Sequence, residues 1–237
     1  MNEPIQIINI ASFFINIPIY LKPWFSDDKP FWHILNHISE AIEKIYEANP
    51  SRYIRIKENV YIDKTAVIDK YTEIKGPALI GKGCVIRHGA FLRNNVITGD
   101  NCVIGNSTEI KNSVLFNNVQ APHFNYIGDS VLGNYAHLGA GVVISNALLI
   151  KNKDENSVLK DVKIKMPGGS WTETGRRKFG AVIGDYAEIG TNTTINPGTL
   201  LESNILVPPS ACIGGYFMKN YKFPKTIVYP KEEKKEV

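Results

Sequence analysis

An aliphatic residue recurs at every sixth position along most of this chain. From Ile62 the sequence divides into hexads: IDKTAV, IDKYTE, IKGPAL, IGKGCV, IRHGAF, LRNNVI, TGDNCV, IGNSTE and IKNSVL. The pattern resumes as LGNYAH, LGAGVV and ISNALL, and again as IGDYAE, IGTNTT, INPGTL, LESNIL and VPPSAC. Every hexad but the one at Thr98 begins with Ile, Leu or Val, and the fifth position is Ala, Thr, Cys or Val except at Leu148 and Ile205. A period of six suits neither an amphipathic helix nor a simple hairpin. Three hexads per turn make a triangular coil whose first position points inward. The fifth position also points in, near a corner, and so stays small. Rungs lie about 4.8 Å apart, so residues one turn apart stack in columns, and stacking buries the faces that one coil alone leaves open. The prediction is an all-β chain, a single-stranded parallel β-helix. Its hand does not follow from the spacing, and the general rule for parallel crossovers favours right.

Residues 1–60 lack the repeat. Phe31, Ile34, Leu35, Ile38, Ile42 and Ile45 recur at helical spacing, with Asp27 and Asp28 before them and Asn49-Pro50 after them. That is one amphipathic helix with an acidic start and proline at both ends. Its apolar stripe reads as a packing face. His33 and His37 have a metal-ligand spacing on it, but no acidic or cysteine ligand stands nearby in sequence to complete a site. The apolar opening, IQIINIASFFINIPIYL, is interrupted by Gln6, Asn9, Asn16 and Pro18 and has no basic leader, so it reads as a packed segment and not as a signal or a membrane span. The organisation expected is an extended segment plus helix over 1–60, the prism over 61–215 with a loop inserted at 151–181, and a tail over 216–237. The inserted stretch, KNKDENSVLKDVKIKMPGGSWTETGRRKFGA, exceeds the usual loop. The alternation in VLKDVKIK suggests a short hairpin. The loop is either a mobile excursion or an arm over a neighbouring subunit's site.

The chemistry is expected where the register is lost, between Ile110 and Leu132. Lys75, Arg93 and Lys111 each hold the second position of a hexad, eighteen residues apart, so they stack on one face. Like charges one rung apart repel, and aligning them gains something only if they bind an anion. The plainer alternative is that they splay into water. His123 follows one coil later with Asn125 and Tyr126 beside it, and an imidazole next to a bound amine or hydroxyl suits a general base near neutral pH. A lone histidine is more often structural, and the adjacent cations are what raise this one.

The formal charge is +4, with 27 Lys and Arg against 23 Asp and Glu. That balance fits phosphate-bearing small molecules without selecting them, and no basic block interleaved with aromatics points to nucleic acid. Three cysteines without a CxxC argue for a reducing, cytoplasmic setting. Cys84 and Cys102, both at the small fifth position, read as packing residues.

HFNYIGDSVLGNYAHLGAGVVISN resembles the acetyltransferase half of the bifunctional enzyme that makes UDP-N-acetylglucosamine. TGRRKFGAVIGDYAEIGTNTTINPGTLL resembles even more closely the C-terminal part of archaeal-type bifunctional sugar-1-phosphate nucleotidylyltransferases. Both are hexapeptide-repeat acyltransferases, and the likeness runs over most of the repeat region. It implies a left-handed coil, a homotrimer, acetyl-CoA as acyl donor and an amino-sugar phosphate acceptor of the glucosamine-1-phosphate or galactosamine-1-phosphate class, with no metal. In the family's H-x-x-Y-x-G-D motif the histidine deprotonates the sugar amine, which maps onto His123, and the tyrosine maps onto Tyr126. Phosphate-holding residues map onto Arg93, Lys111 and Lys178, and an asparagine near the acetyl group onto Asn146. The CoA groove maps more loosely onto Ala140 and Thr191, acting mainly through backbone atoms. His137 stands where the bacterial enzyme has an asparagine, which alters the expected sugar pocket. The family's GxGTRxxP loop and GK signature do not occur, so nucleotidyl transfer is set aside. Two rivals remain. A zinc prism of the carbonic-anhydrase kind would need an H-x4-H pair that His88, His123 and His137 do not supply. A non-catalytic repeat protein that binds a sugar nucleotide or serves assembly would keep the prism without turnover.

Overall fold

The computed structural model describes residues 8–26, 29–149 and 153–224; Asp27, Asp28 and the charged C-terminal run lie outside them. The chain winds as a parallel β-solenoid of about nine turns. Its strands form one nine-stranded and two seven-stranded sheets, the three faces of a prism, here called first, second and third in the order the chain visits them.

First-position residues of the hexads run up the interior in columns. On the third face the ladder passes through Ile74, Leu92, Ile110, Ile127, Ile144, Ile195 and Ile213. These residues and their counterparts on the other faces form one continuous core. Thr98, the one polar first position, is fully buried, and its hydroxyl accepts from the Gly81 N–H at 3.3 Å. The fifth positions follow a similar logic. Cys84 Sγ donates to the Gly99 carbonyl at 3.0 Å, Cys102 Sγ to Phe116 at 3.0 Å, and Thr108 Oγ1 to Ala121 at 3.1 Å. The two cysteines are thus small corner donors packed in the core, as the sequence suggests, and both are free thiols.

The register is not lost between Ile110 and Leu132, contrary to the sequence reading. Ile110, Leu115, Ala121, Ile127 and Leu132 all point inward and are fully buried. Two sides of the coil, Ile110 to Leu115 and Ile127 to Leu132, are one residue shorter than the rest. Both turn the third-to-first corner with a left-handed residue, Asn112 at φ 46 and Asp129 at φ 48. A shortened side shifts every later hexad by one place, which in the sequence looks like a break. The excursion likewise starts earlier than expected. Leu148 packs outside the prism, and the chain leaves through the Ala147–Lys178 bridge to rejoin at the strand Ala181–Ile183. The hairpin within it pairs Lys163–Lys165 with Trp171–Glu173, so only the end of VLKDVKIK is a strand.

The N-terminal region lies along the first face and does not cap the prism. It contains a 3-10 turn, Phe31–Asn36, followed by a helix, Ile38–Ala48, in place of the single helix expected. The helix touches the strands Ala78–Ile80 and Val96–Thr98. Outward residues of this face, Leu79, Ile97, Val114, Val131, Val182 and Leu200, are all buried beneath Phe13, Phe14, Ile34, Leu35 and Ile42. First-face strands are therefore apolar on both sides. Each such side chain contributes about 1.5–3 kcal/mol when fully buried. The rings of His33 and His37 lie 4.5 Å apart, and, contrary to the sequence reading, an acidic residue does stand beside them: Glu40, one helical turn on, pairs with His37 at 3.2 Å. No helix among the described residues is long and apolar enough to cross a membrane.

Gly105 shows how tightly successive rungs approach. A Cβ there would collide with the backbone carbonyl of Pro122, in the strand Gln120–His123. Gly105→Ala is expected to cost about 1–3 kcal/mol through overpacking, read as a drop in melting temperature. It should also displace the strand that ends at His123.

Candidate functional site

The strands Glu109–Lys111 and Tyr126–Gly128 of the third face carry two of the polar residues singled out in the sequence, Lys111 and Tyr126. Lys75, Arg93 and Lys111 form the expected column: Lys75 N–H donates to the Leu92 carbonyl and Arg93 N–H to that of Ile110, both at 2.8 Å. Lys75 lies over the Phe91 ring, 5.1 Å from its centroid. Arg93 pairs with Glu109 at 2.9 Å, with both side chains more than a third exposed, a contact worth little to stability but one that keeps the guanidinium in place. Lys111 is half-buried beside Lys178. Burial pushes its ammonium pKa down, and the neighbouring Lys178 and Arg93 add to the effect against the pull of Asp129.

The next rung above Lys111 is Gly128. A Cβ at that position would meet the Asn146 side chain at 2.6 Å and the Tyr126 hydroxyl at 2.9 Å. The absence of a side chain here is what lets Tyr126 and Asn146 cross the bare backbone next to the cations. Tyr126 has its phenol pKa raised by burial and by Glu109 and Asp129. Arg93, Lys111, Lys178, Tyr126 and Asn146 are thus gathered on one face.

His123 sits at the edge where the second face turns into the third. Its side chain is exposed, while its backbone carbonyl accepts from the Gly141 N–H at 3.0 Å. Asn125 holds the turn: its side chain accepts from the His123 N–H at 3.2 Å and donates to the Gly139 carbonyl at 2.7 Å. Ala140 is stacked on the rung above His123 and Thr191 on the rung above that, as the pairings Gln120 with His137 and Leu138 with Ile189 require. His123, Ala140 and Thr191 therefore line one edge, and Tyr126, three residues after His123, connects that edge to the cationic face. His137 lies apart on the second face, with its Nδ1 3.2 Å from Gln120 Oε1 and Glu188 on the next strand. The structure does not bring it to the cation column.

Three site residues were missed in the sequence: Glu109, Asp129 and Arg176. Arg176 is nearly buried, donates to the Lys178 carbonyl at 3.1 Å and to Asn36, and pairs with Asp129 at 3.4 Å. Burial pushes its pKa down, opposed by Asp129. The only sequence signals were the last residue of H-x-x-Y-x-G-D and the first arginine of GRRK. Arg93, Lys111, Arg176 and Lys178 against Glu109 and Asp129 make four positive and two negative charges, a net of +2. Such a surface suits a dianion. Among the described residues no group of three or more His, Cys, Asp or Glu is placed to hold a metal ion.

A prism of six-residue sides, stacked in three parallel sheets, is a hexapeptide-repeat β-solenoid. A family model described as the GMPPB C-terminal domain matches residues 74–167. The chain is 35% identical over 100 residues to a bifunctional sugar-1-phosphate nucleotidylyltransferase/acetyltransferase of Sulfurisphaera tokodaii, covering 42% of this chain and 23% of that protein. It is 32% identical over 120 residues to the bifunctional protein GlmU of Methanococcus aeolicus, covering 51% of this chain and 26% of that protein. The chain therefore spans about a quarter of the length of the curated relatives it matches. A solved hexapeptide transferase family protein from Anaplasma phagocytophilum aligns at 19% identity over 70% of this chain and 80% of its own, with a TM-score of 0.35; at that distance it adds nothing about function. The sequence relatives bear out the resemblance read from HFNYIGD and TGRRKFG.

Proposed function

We propose that this chain is an acyl-CoA-dependent N-acetyltransferase acting on the amine of an amino-sugar phosphate, of the glucosamine-1-phosphate or galactosamine-1-phosphate class. The observation that carries the reading is the net positive face of Arg93, Lys111 and Lys178 joined through Tyr126 to the exposed imidazole of His123. The word acetyltransferase in the name of the Sulfurisphaera relative supports the reaction type.

An amine attacks a thioester carbonyl only through its lone pair. His123 takes the proton that the nitrogen gives up as the N–C bond forms, and returns it to the departing CoA sulfur as the C–S bond breaks. The cations hold the phosphate and so turn binding into orientation. A backbone N–H along the edge meets the charge developing on the carbonyl oxygen, worth about 3 kcal/mol for one donor. The small side chain of Ala140 and the neighbouring Gly139 and Gly141 leave the edge above His123 low enough for a pantetheine chain to lie against backbone. In this reading the working unit is a homotrimer in the cytoplasm. Its contacts fall on the second and third faces, because the chain's own N-terminal region covers the first.

The test is release of free CoA from acetyl-CoA with a panel of amino-sugar phosphates and their non-aminated counterparts. Release that depends on the amine and on the phosphate is expected. No release with any member of the panel would leave the alternative, a non-catalytic protein that binds a sugar nucleotide or serves assembly.

A further inference from the structure

Asp129 is 4% exposed and stands in the left-handed backbone region at the third-to-first corner. Its Oδ1 accepts from Asn112 Nδ2 at 2.8 Å and its Oδ2 from Asn146 Nδ2 at 2.5 Å. Arg176 Nη2 reaches Oδ1 at 3.4 Å. The backbone of Asp129 is shared between the same elements: its N–H donates to the Lys111 carbonyl and its carbonyl accepts from Gly180, both at 2.9 Å. Phe179 N–H closes the arrangement on the Asn146 carbonyl at 2.9 Å. One carboxylate thus ties together the rung of Lys111, the point where the excursion leaves at Asn146, and the point where it returns at Arg176 to Gly180.

A carboxylate only accepts hydrogen bonds. Both amide nitrogens must therefore face Asp129, and the Asn146 Oδ1 must turn away from it. Arg176, nearly buried, has Asp129 as its charge partner, and its backbone neighbour two residues on is Lys178. We propose that Asp129 is a positioning residue: it sets the amide of Asn146 and anchors the return of the excursion through Arg176, so that Lys178 stands against Lys111 as one anion clamp. The role in catalysis rests on the proposed acetyl transfer; the clamp does not.

Asp129→Asn keeps the shape but sets an N–H against an N–H and removes the charge opposite Arg176. Calorimetry with glucosamine-1-phosphate, and with inorganic phosphate as the minimal anion, is expected to show binding weakened ~10-fold or more, the size of one lost hydrogen bond to a charged group. The KM for acetyl-CoA should stay within about twofold, since Ala140 and Thr191 lie on a different edge. Hydrogen exchange at Phe179 and Gly180 should quicken while the coils below Ile104 keep their protection. Arg176→Gln cuts the same tie from the excursion side and decides the matter if Asp129→Asn does not fold. Folded variants that bind both anions as the parent does would overturn the proposal, even if exchange quickens, because Asp129 would then be structural only. A parent protein that binds neither anion would also overturn it. A parent that binds glucosamine-1-phosphate but never releases CoA, with binding lost in the variants, would sink the acetyl transfer and leave the clamp standing.

Discussion

Replacing His123 by alanine is expected to lower turnover ~100-fold or more, the scale of a lost general base, with the melting temperature nearly unchanged. The two halves of this expectation have separate origins. The loss follows from chemistry: in the proposed transfer the acceptor nitrogen gives up a proton as its bond to the acyl carbon forms, and the residues stacked above His123 on this edge, Ala140 and Thr191, have no group to take it. The stability follows from placement. The imidazole is exposed, and the contacts that hold this turn run through the His123 backbone and through Asn125. Steady-state CoA release beside a thermal melt measures both, and a variant that keeps its activity would remove His123 from the role of base.

Phe13→Ala is expected to have the largest effect on stability, with no residue of the third face altered. Phe13 is fully buried, and its ring lies 4.9 Å from that of Phe31 and 5.7 Å from that of Tyr216. Emptying such a site costs about 3–5 kcal/mol, and in a chain of this length each kcal/mol lowers the melting temperature by roughly 2–4 °C. The backbone around it ties the N-terminal segment to the prism: the Phe13 carbonyl accepts from Asp185 N–H at 2.8 Å, and Ile15 N–H donates to the Asp185 carboxylate at 2.8 Å. Burial raises the Asp185 pKa against those hydrogen bonds. Calorimetry of the variant tests the claim directly. A shift of only a degree or two would mean that the first face is stable without its cover.

The interior of the prism was legible because each inward position is specified locally. A hexad with Ile first and Ala, Thr or Cys fifth carries its own instruction to turn a corner, wherever it stands in the chain. The cation column was legible for the same reason, since Lys75, Arg93 and Lys111 are separated by full turns of six-residue sides. The two shortened sides were not, because a corner tightened at Asn112 or Asp129 shows in the sequence only as a slipped register. The covered first face left a trace that went unread. On every third side of the coil the residue just before the next inward position is apolar, at Leu79, Ile97, Val114, Val131, Val182 and Leu200, where the other faces mix apolar with polar residues; Val114, the fifth position of its hexad, therefore points outward and not into the corner.

By itself the chain's sequence determined the period of the coil and its core, and it supplied the candidate groups of the proposed site, because a six-residue period acts between near neighbours. Only the tertiary structure decided which groups meet. The rung above Ala140 is Thr191, across an excursion of unequal length, and Asp129 touches Arg176 because the excursion closes on the corner it left. His137 lies on the strand next to the one that ends at His123, but the same winding sets it over Gln120, three residues back along that strand. Contacts between rungs depend on the summed length of every side between them, and no local pattern records that sum.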